Sequence, residues 1–182
     1  MPTRLLLIAH APTAATRRAA FPRDEAIEPI EAAPLLGPAT RCFAAPERRT
    51  RETAEALGLD ARRETLLADI DLGRWEGRTF EEVLDDDPSG MAAWTTDPRC
   101  APHGGESVED LITRVGTWLD GEREDGGRII AVTHPAVIRA AVVAAIGASA
   151  TSFWRIDIAP LARIDLRSDN RRWVLREIAM AE

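Results

Sequence analysis

The sequence predicts an α/β fold: a three-layer α/β/α sandwich whose central sheet is mainly parallel and gains antiparallel strands at its carboxyl end. Residues 4–9 and 128–133 are short, nearly all-apolar runs that each end in a polar loop, as strands covered on both faces do. Between them, apolar residues recur at helical spacing, so the strands connect through helices and run parallel. The carboxyl end changes rhythm, with residues 152–158, 161–167 and 172–176 reading as strands. The last two of these join through a Ser168-Asp169-Asn170 turn.

Each remaining element has its own local signal. A second strand is expected over residues 41–45, followed by a helix with Pro46 at its first position and Gly58 just past its end. Thr79 with Glu82 forms a capping-box pattern ahead of Phe80, Val83 and Leu84. Ser107 with Asp110 opens another helix, along which Val108, Leu111, Ile112, Val115 and Leu119 fall on one face. His134-Pro135 starts a helix that runs to Ile146 and stops at Gly147. No repeat or low-complexity linker interrupts the chain. With 182 residues, it is expected to form one domain over 1–182 around a single core.

Composition narrows the function classes. A hydrophobic fraction of 45% with 29% charged residues belongs to a folded globular protein. A net charge of −7 argues against a nucleic-acid binder and against an anionic membrane surface. All 23 basic residues are arginine, which a GC-rich genome explains. Cys42 and Cys100 lack disulfide or metal-ligand spacing and are expected as small apolar residues. The apolar run ending at Ile8 is too short for a signal peptide or a membrane span, so the expected location is cytoplasmic.

Three polar residues fall at equivalent places. His10 follows the first strand, Arg49 lies in the first turn of the helix after the second, and His134 caps the helix after the strand at 128–133. In open α/β sheets, ligands bind beyond the carboxyl ends of the strands. Helix amino-termini there favour an anion, and an arginine adds a planar fork of donors matched to phosphate oxygens. Two imidazoles supply a nucleophile or further donors. Metal binding by the two histidines is disfavoured, because Arg49 would repel a cation and no third ligand is suitably spaced. No metal or cofactor is expected.

These residues resemble the histidine phosphatase superfamily (phosphoglycerate-mutase-like). Its Arg-His-Gly signature after an apolar strand, with Thr two residues on, corresponds to Ala9-His10-Ala11-Pro12-Thr13. Its later arginine run corresponds to Ala45 through Ala54, with Arg49 as the arginine. An acidic residue before Gly-x-Trp-Glu-Gly corresponds to Asp69 ahead of Gly73-Arg74-Trp75-Glu76-Gly77. Gly104 to Ser107 matches Gly-Gly-Glu-Ser, and Val132-Thr133-His134-Pro135 matches the second histidine block. The five blocks fall in family order between residues 5 and about 140.

The resemblance implies a metal-independent phosphatase acting on a small phosphorylated metabolite, with His10 taking the phosphoryl group as a phosphohistidine. His134 and Arg49 would hold its oxygens. Asp69, where the family usually has Glu, would protonate the leaving group and then activate water. Thr13, Thr16 and Arg17 are the expected substrate-binding residues of the loop. The chain has no insertion of the kind that closes over the substrate in the family's mutases. Two departures stand out. Ala9 replaces the arginine that normally precedes the nucleophile, and Pro135 removes an N–H after the second histidine. Arg17 or Arg18 is a candidate to replace the missing charge. The competing reading is a weakly active or inactive relative that binds a phospholigand or regulates. His103 is expected as an exposed loop residue, and Glu106 and Trp75 as structural supports. A homodimer is compatible with the sequence.

Overall fold

The computed structural model describes residues 2–30 and 36–179. Six strands form one sheet in the order β3-β2-β4-β1-β5-β6, where β1 is Thr3–Ala9, β2 Arg41–Ala44, β3 Arg62–Arg63, β4 Gly127–Thr133, β5 Arg163–Ser168 and β6 Trp173–Ala179. β1, β2 and β3 run parallel to their neighbours on the β4 side of the sheet, and β5 and β6 are antiparallel. The expected mainly parallel sheet with an antiparallel carboxyl end is therefore present.

Alternation along the central strands creates the layers. Leu5, Leu7 and Ala9 of β1, with Ile129 and Ala131 of β4, face one core. That core also receives Leu111, Val115 and Leu119 from α5 (Val108–Glu122) and Val137, Ile138 and Ala141 from α6 (Pro135–Ile146). Ile8, Ile130 and Val132 face the opposite side, against Ala44 and against Ala54 of α2 (Arg48–Ala56). Each central strand thus has two apolar faces, which is why it reads as a continuous apolar run.

Local signals set most boundaries. The Thr79–Glu82 capping box opens α3 (Phe80–Asp86), and Ser107 caps α5 by accepting from the Asp110 N–H. Gly147, at φ +64°, ends α6 in the left-handed conformation a helix stop requires. Two helices escaped the sequence reading: the single turn α1 (Ala14–Arg17) and α4 (Pro88–Thr96). One expected strand is corrected. Residues 152–158 do not join the sheet, and Ala150–Arg155 form a 3-10 helix. Phe153 and Trp154 instead pack as an aromatic pair, with Trp154 against Trp94 at 4.3 Å between ring centroids. A short apolar run has no period that separates the two states.

Candidate active site

The parallel register brings the functional side chains to one edge. Ala9 pairs with Thr133, and Ala44 with Val132, so β1, β2 and β4 end level with one another. His10 leaves β1 there, Glu47 and Arg49 lie just beyond β2 where α2 begins, and His134 caps α6 directly after β4.

His10 Nδ1 lies 2.7 Å from the Ala11 carbonyl. A carbonyl only accepts, so this nitrogen carries the proton and Nε2 keeps its lone pair. His10 lines a cavity of about 320 Å³ together with Asp69. Burial, then the neighbouring His134, pull its pKa down to about 4, outweighing the Ala11 carbonyl. The ring is therefore a neutral base at neutral pH. The His134 ring lies 5.3 Å away, centroid to centroid, at 63°.

His134 is fully buried between two carboxylates. Its Nε2 donates to Glu47 Oε2 at 2.8 Å, and its Nδ1 lies 3.3 Å from Asp69 Oδ2. Arg49, also buried, donates to Asp69 Oδ2 at 2.5 Å and to the Arg23 carbonyl at 2.9 Å. Burial alone would raise the Asp69 carboxyl, but the charges of His134, Arg49 and His10 outweigh it and hold the group below its usual range. Glu47 behaves alike: burial raises it, while its hydrogen bond with His134 and that ring's charge bring it lower. Arg49 lines a second cavity, which shares Pro22, Asp69 and Ile70 with the first.

Asp69 is held by a separate device. Arg114 of α5 pairs with Glu106 at 2.7 Å and donates to the carbonyls of Leu66 and Ala68 at 2.8 and 3.1 Å. That clamps the segment leading into Asp69 onto α5. Glu106 has the supporting contact expected of it. Trp75 is fully buried beside Phe21 and Trp94.

His10, Arg49, Asp69 and His134 thus meet, and Thr16 lines the His10 cavity. Thr13 and Arg17 point elsewhere. The Thr13 side chain caps α1 and is engaged with Thr16 in a capping box. Arg17 pairs with Glu28 at 2.5 Å and is 74% exposed. Arg18 is exposed too, and its Nε donates to the carbonyl of Ala14 in its own turn. Neither loop arginine supplies the charge absent at Ala9. His103 is corrected: it is 2% exposed, lying edge-on to Trp75. The loop folds back through Gly104, at φ +83°, and the Gly105 N–H donates to His103 Nδ1. Glu47 is the site residue that the sequence reading missed. Its only signal was an acidic side chain two residues before Arg49.

The fold and site together define an α/β protein with an imidazole pair, a guanidinium and a carboxylate converging beyond the ends of parallel strands. The chain belongs to the histidine phosphatase superfamily (branch 1), whose family model matches residues 32–180. Over 187 residues it is 29% identical to a bifunctional protein of Mycobacterium tuberculosis, covering 92% of this chain and 51% of that protein. It is 27% identical to phosphoserine phosphatase 1 of Hydrogenobacter thermophilus over 143 residues, 75% of this chain and 68% of the relative. A solved structure described as mycobacterial hydrolase 1 superposes with a TM-score of 0.83 at 25% identity, covering all of both chains. The chain spans about half the length of the first of these relatives. No helix among the described residues is long and apolar enough to cross a membrane.

Proposed function

We propose that the chain is a metal-independent phosphatase that hydrolyses a small phosphomonoester through a phosphohistidine on His10. The observation that carries the reading is the His10 tautomer, whose free Nε2 lies on a ring that lines the cavity with Asp69. Family membership, and a relative named as a phosphoserine phosphatase, support the same class.

Asp69 now occupies the place between Arg49 and His134 where an incoming phosphoryl oxygen would be held. A bound phosphoryl group takes over both partners. Its negative charge offsets the His134 and Arg49 charges that help keep the carboxyl low, so burial and like-charge repulsion favour the protonated form. Substrate binding therefore converts Asp69 into a general acid. His10 Nε2 attacks phosphorus as the bond to the leaving-group oxygen breaks, and that oxygen takes the proton of Asp69. In the second half, the Asp69 carboxylate accepts a proton from water, whose oxygen attacks phosphorus and breaks the P–N bond. An alcohol and inorganic phosphate result, and His10 returns neutral. Arg49 and His134 supply the positive field that a metal would otherwise provide.

The test is turnover of p-nitrophenyl phosphate, with acid-stopped and base-stopped samples of labelled enzyme. The label is expected on His10, labile to acid and stable to base, with turnover lost in His10→Ala and retained in EDTA. Binding of vanadate without turnover would establish a phospholigand-binding protein instead.

A further inference from the structure

The wall of the His10 cavity differs in chemistry from its catalytic end. Beyond His10, Asp69 and Thr16 it is mostly apolar, with the rings of Phe21, Phe80, Trp94, Phe153 and Trp154 among small aliphatic side chains. Compact polar leaving groups such as glycerate or serine carry hydroxyl, amino or carboxylate groups beside the phosphate. The two indole N–H groups of Trp94 and Trp154 and the Thr16 hydroxyl are few partners for them, so burying them against this wall costs hydration, whereas a ring-bearing leaving group gains from burial and from aromatic packing.

Arg139 is the one basic side chain on this apolar wall. It stands on α6 one turn beyond Pro135, on the same face. Among the described residues it makes no hydrogen bond and its buried Nε is unsatisfied. Its nearest carboxylate, Asp157, is 3.8 Å away and 92% exposed. The guanidinium lies 5.7 Å from the centre of the Phe153 ring. A cation facing a cavity with its donors unused is a receptor for an anion.

We propose that this cavity selects phosphomonoesters of a ring-bearing alcohol that carries a carboxylate, with the ring among the aromatic side chains and the carboxylate on Arg139. The inference rests on the phosphatase reading and names its substrate class.

The test compares 4-carboxybenzyl phosphate, benzyl phosphate and phosphoserine, all esters of alkyl alcohols, so that leaving-group acidity does not set the order. The phosphonate analogue of the first is titrated in parallel by calorimetry. The expected order of kcat/KM is carboxybenzyl, benzyl, phosphoserine, each step about tenfold or more. Arg139→Gln should shrink the carboxybenzyl-to-benzyl ratio about tenfold to a hundredfold and weaken phosphonate binding in parallel. Arg139→Lys should keep part of both. Phosphoserine turning over as well as benzyl phosphate would overturn the substrate class while leaving the phosphatase intact. An unchanged ratio in Arg139→Gln would do the same for the carboxylate. Arg139-dependent phosphonate binding with no turnover of any ester would support the ligand class and overturn hydrolysis. Absence of both binding and turnover would overturn the two together.

Discussion

At Ala9 the side chain has no accessible surface and faces the core shared with α5 and α6. The family's arginine would need a path from there to the phosphoryl position, and Ala9 borders none of the cavities at the site. Ala9→Arg is therefore expected to overpack this layer, lowering stability by about 1–3 kcal/mol with no gain in kcat. Urea denaturation read beside p-nitrophenyl phosphate kinetics checks this, and a tenfold rise in kcat would show that the room exists. The guanidinium present at the site is that of Arg49, and it is already engaged by Asp69. That pairing ties anion binding to the protonation of the acid. Glu47 works on the other side, fixing His134 through Nε2 and so directing Nδ1 towards Asp69.

Among elements, α5 matters to the chemistry without touching it. Arg114 reaches across to the carbonyls before Asp69 and is itself held by Glu106, just ahead of the helix. Arg114→Ala is expected to loosen Asp69 and cut kcat about tenfold or more while changing KM little, because the proton is delivered only in the transition state. Steady-state kinetics on an ester with a poor leaving group checks the split. A comparable loss with p-nitrophenyl phosphate, whose leaving group needs little protonation, would count against it. The same contacts explain a limit of sequence reading. Glu106 and Arg114 are eight residues apart, and nothing in their spacing announces that Arg114 grips carbonyls 46 and 48 residues earlier.

On the scale of the whole molecule, both cores share β1 and β4, which lie at the centre of the sheet. Their unfolding is thereby coupled, and pH acts on it through His10. The pKa of His10 falls from 6.5 to about 4 on folding, so between those values the unfolded chain binds more protons and stability rises with pH. This contribution is complete above pH 6.5, amounts to about 3 kcal/mol, and is lost as pH falls towards 4. The lowered Asp69 and Glu47 carboxyls add a further loss that sets in as pH falls through their ordinary values of 3.8 and 4.5, at the foot of that window. Urea midpoints at pH 7 and pH 4.5 should separate widely for the parent and less for His10→Gln. Equal separations would show that His10 is not the group that titrates.

The sequence by itself determined the strand runs, the capped helices and the order of the histidine, arginine and acidic blocks, because period, caps and local motifs are properties of neighbouring residues. Those local signals alone suffice to put His10, Arg49 and His134 at strand ends. Only the tertiary structure decided that residues 150–155 form a 3-10 turn, that His103 is buried, that Thr13 is spent on a cap and Arg17 on Glu28, and that Glu47 holds His134. Each of these depends on which distant side chain offers a partner or excludes water. Those energies belong to the packed molecule, and no spacing along the chain encodes them.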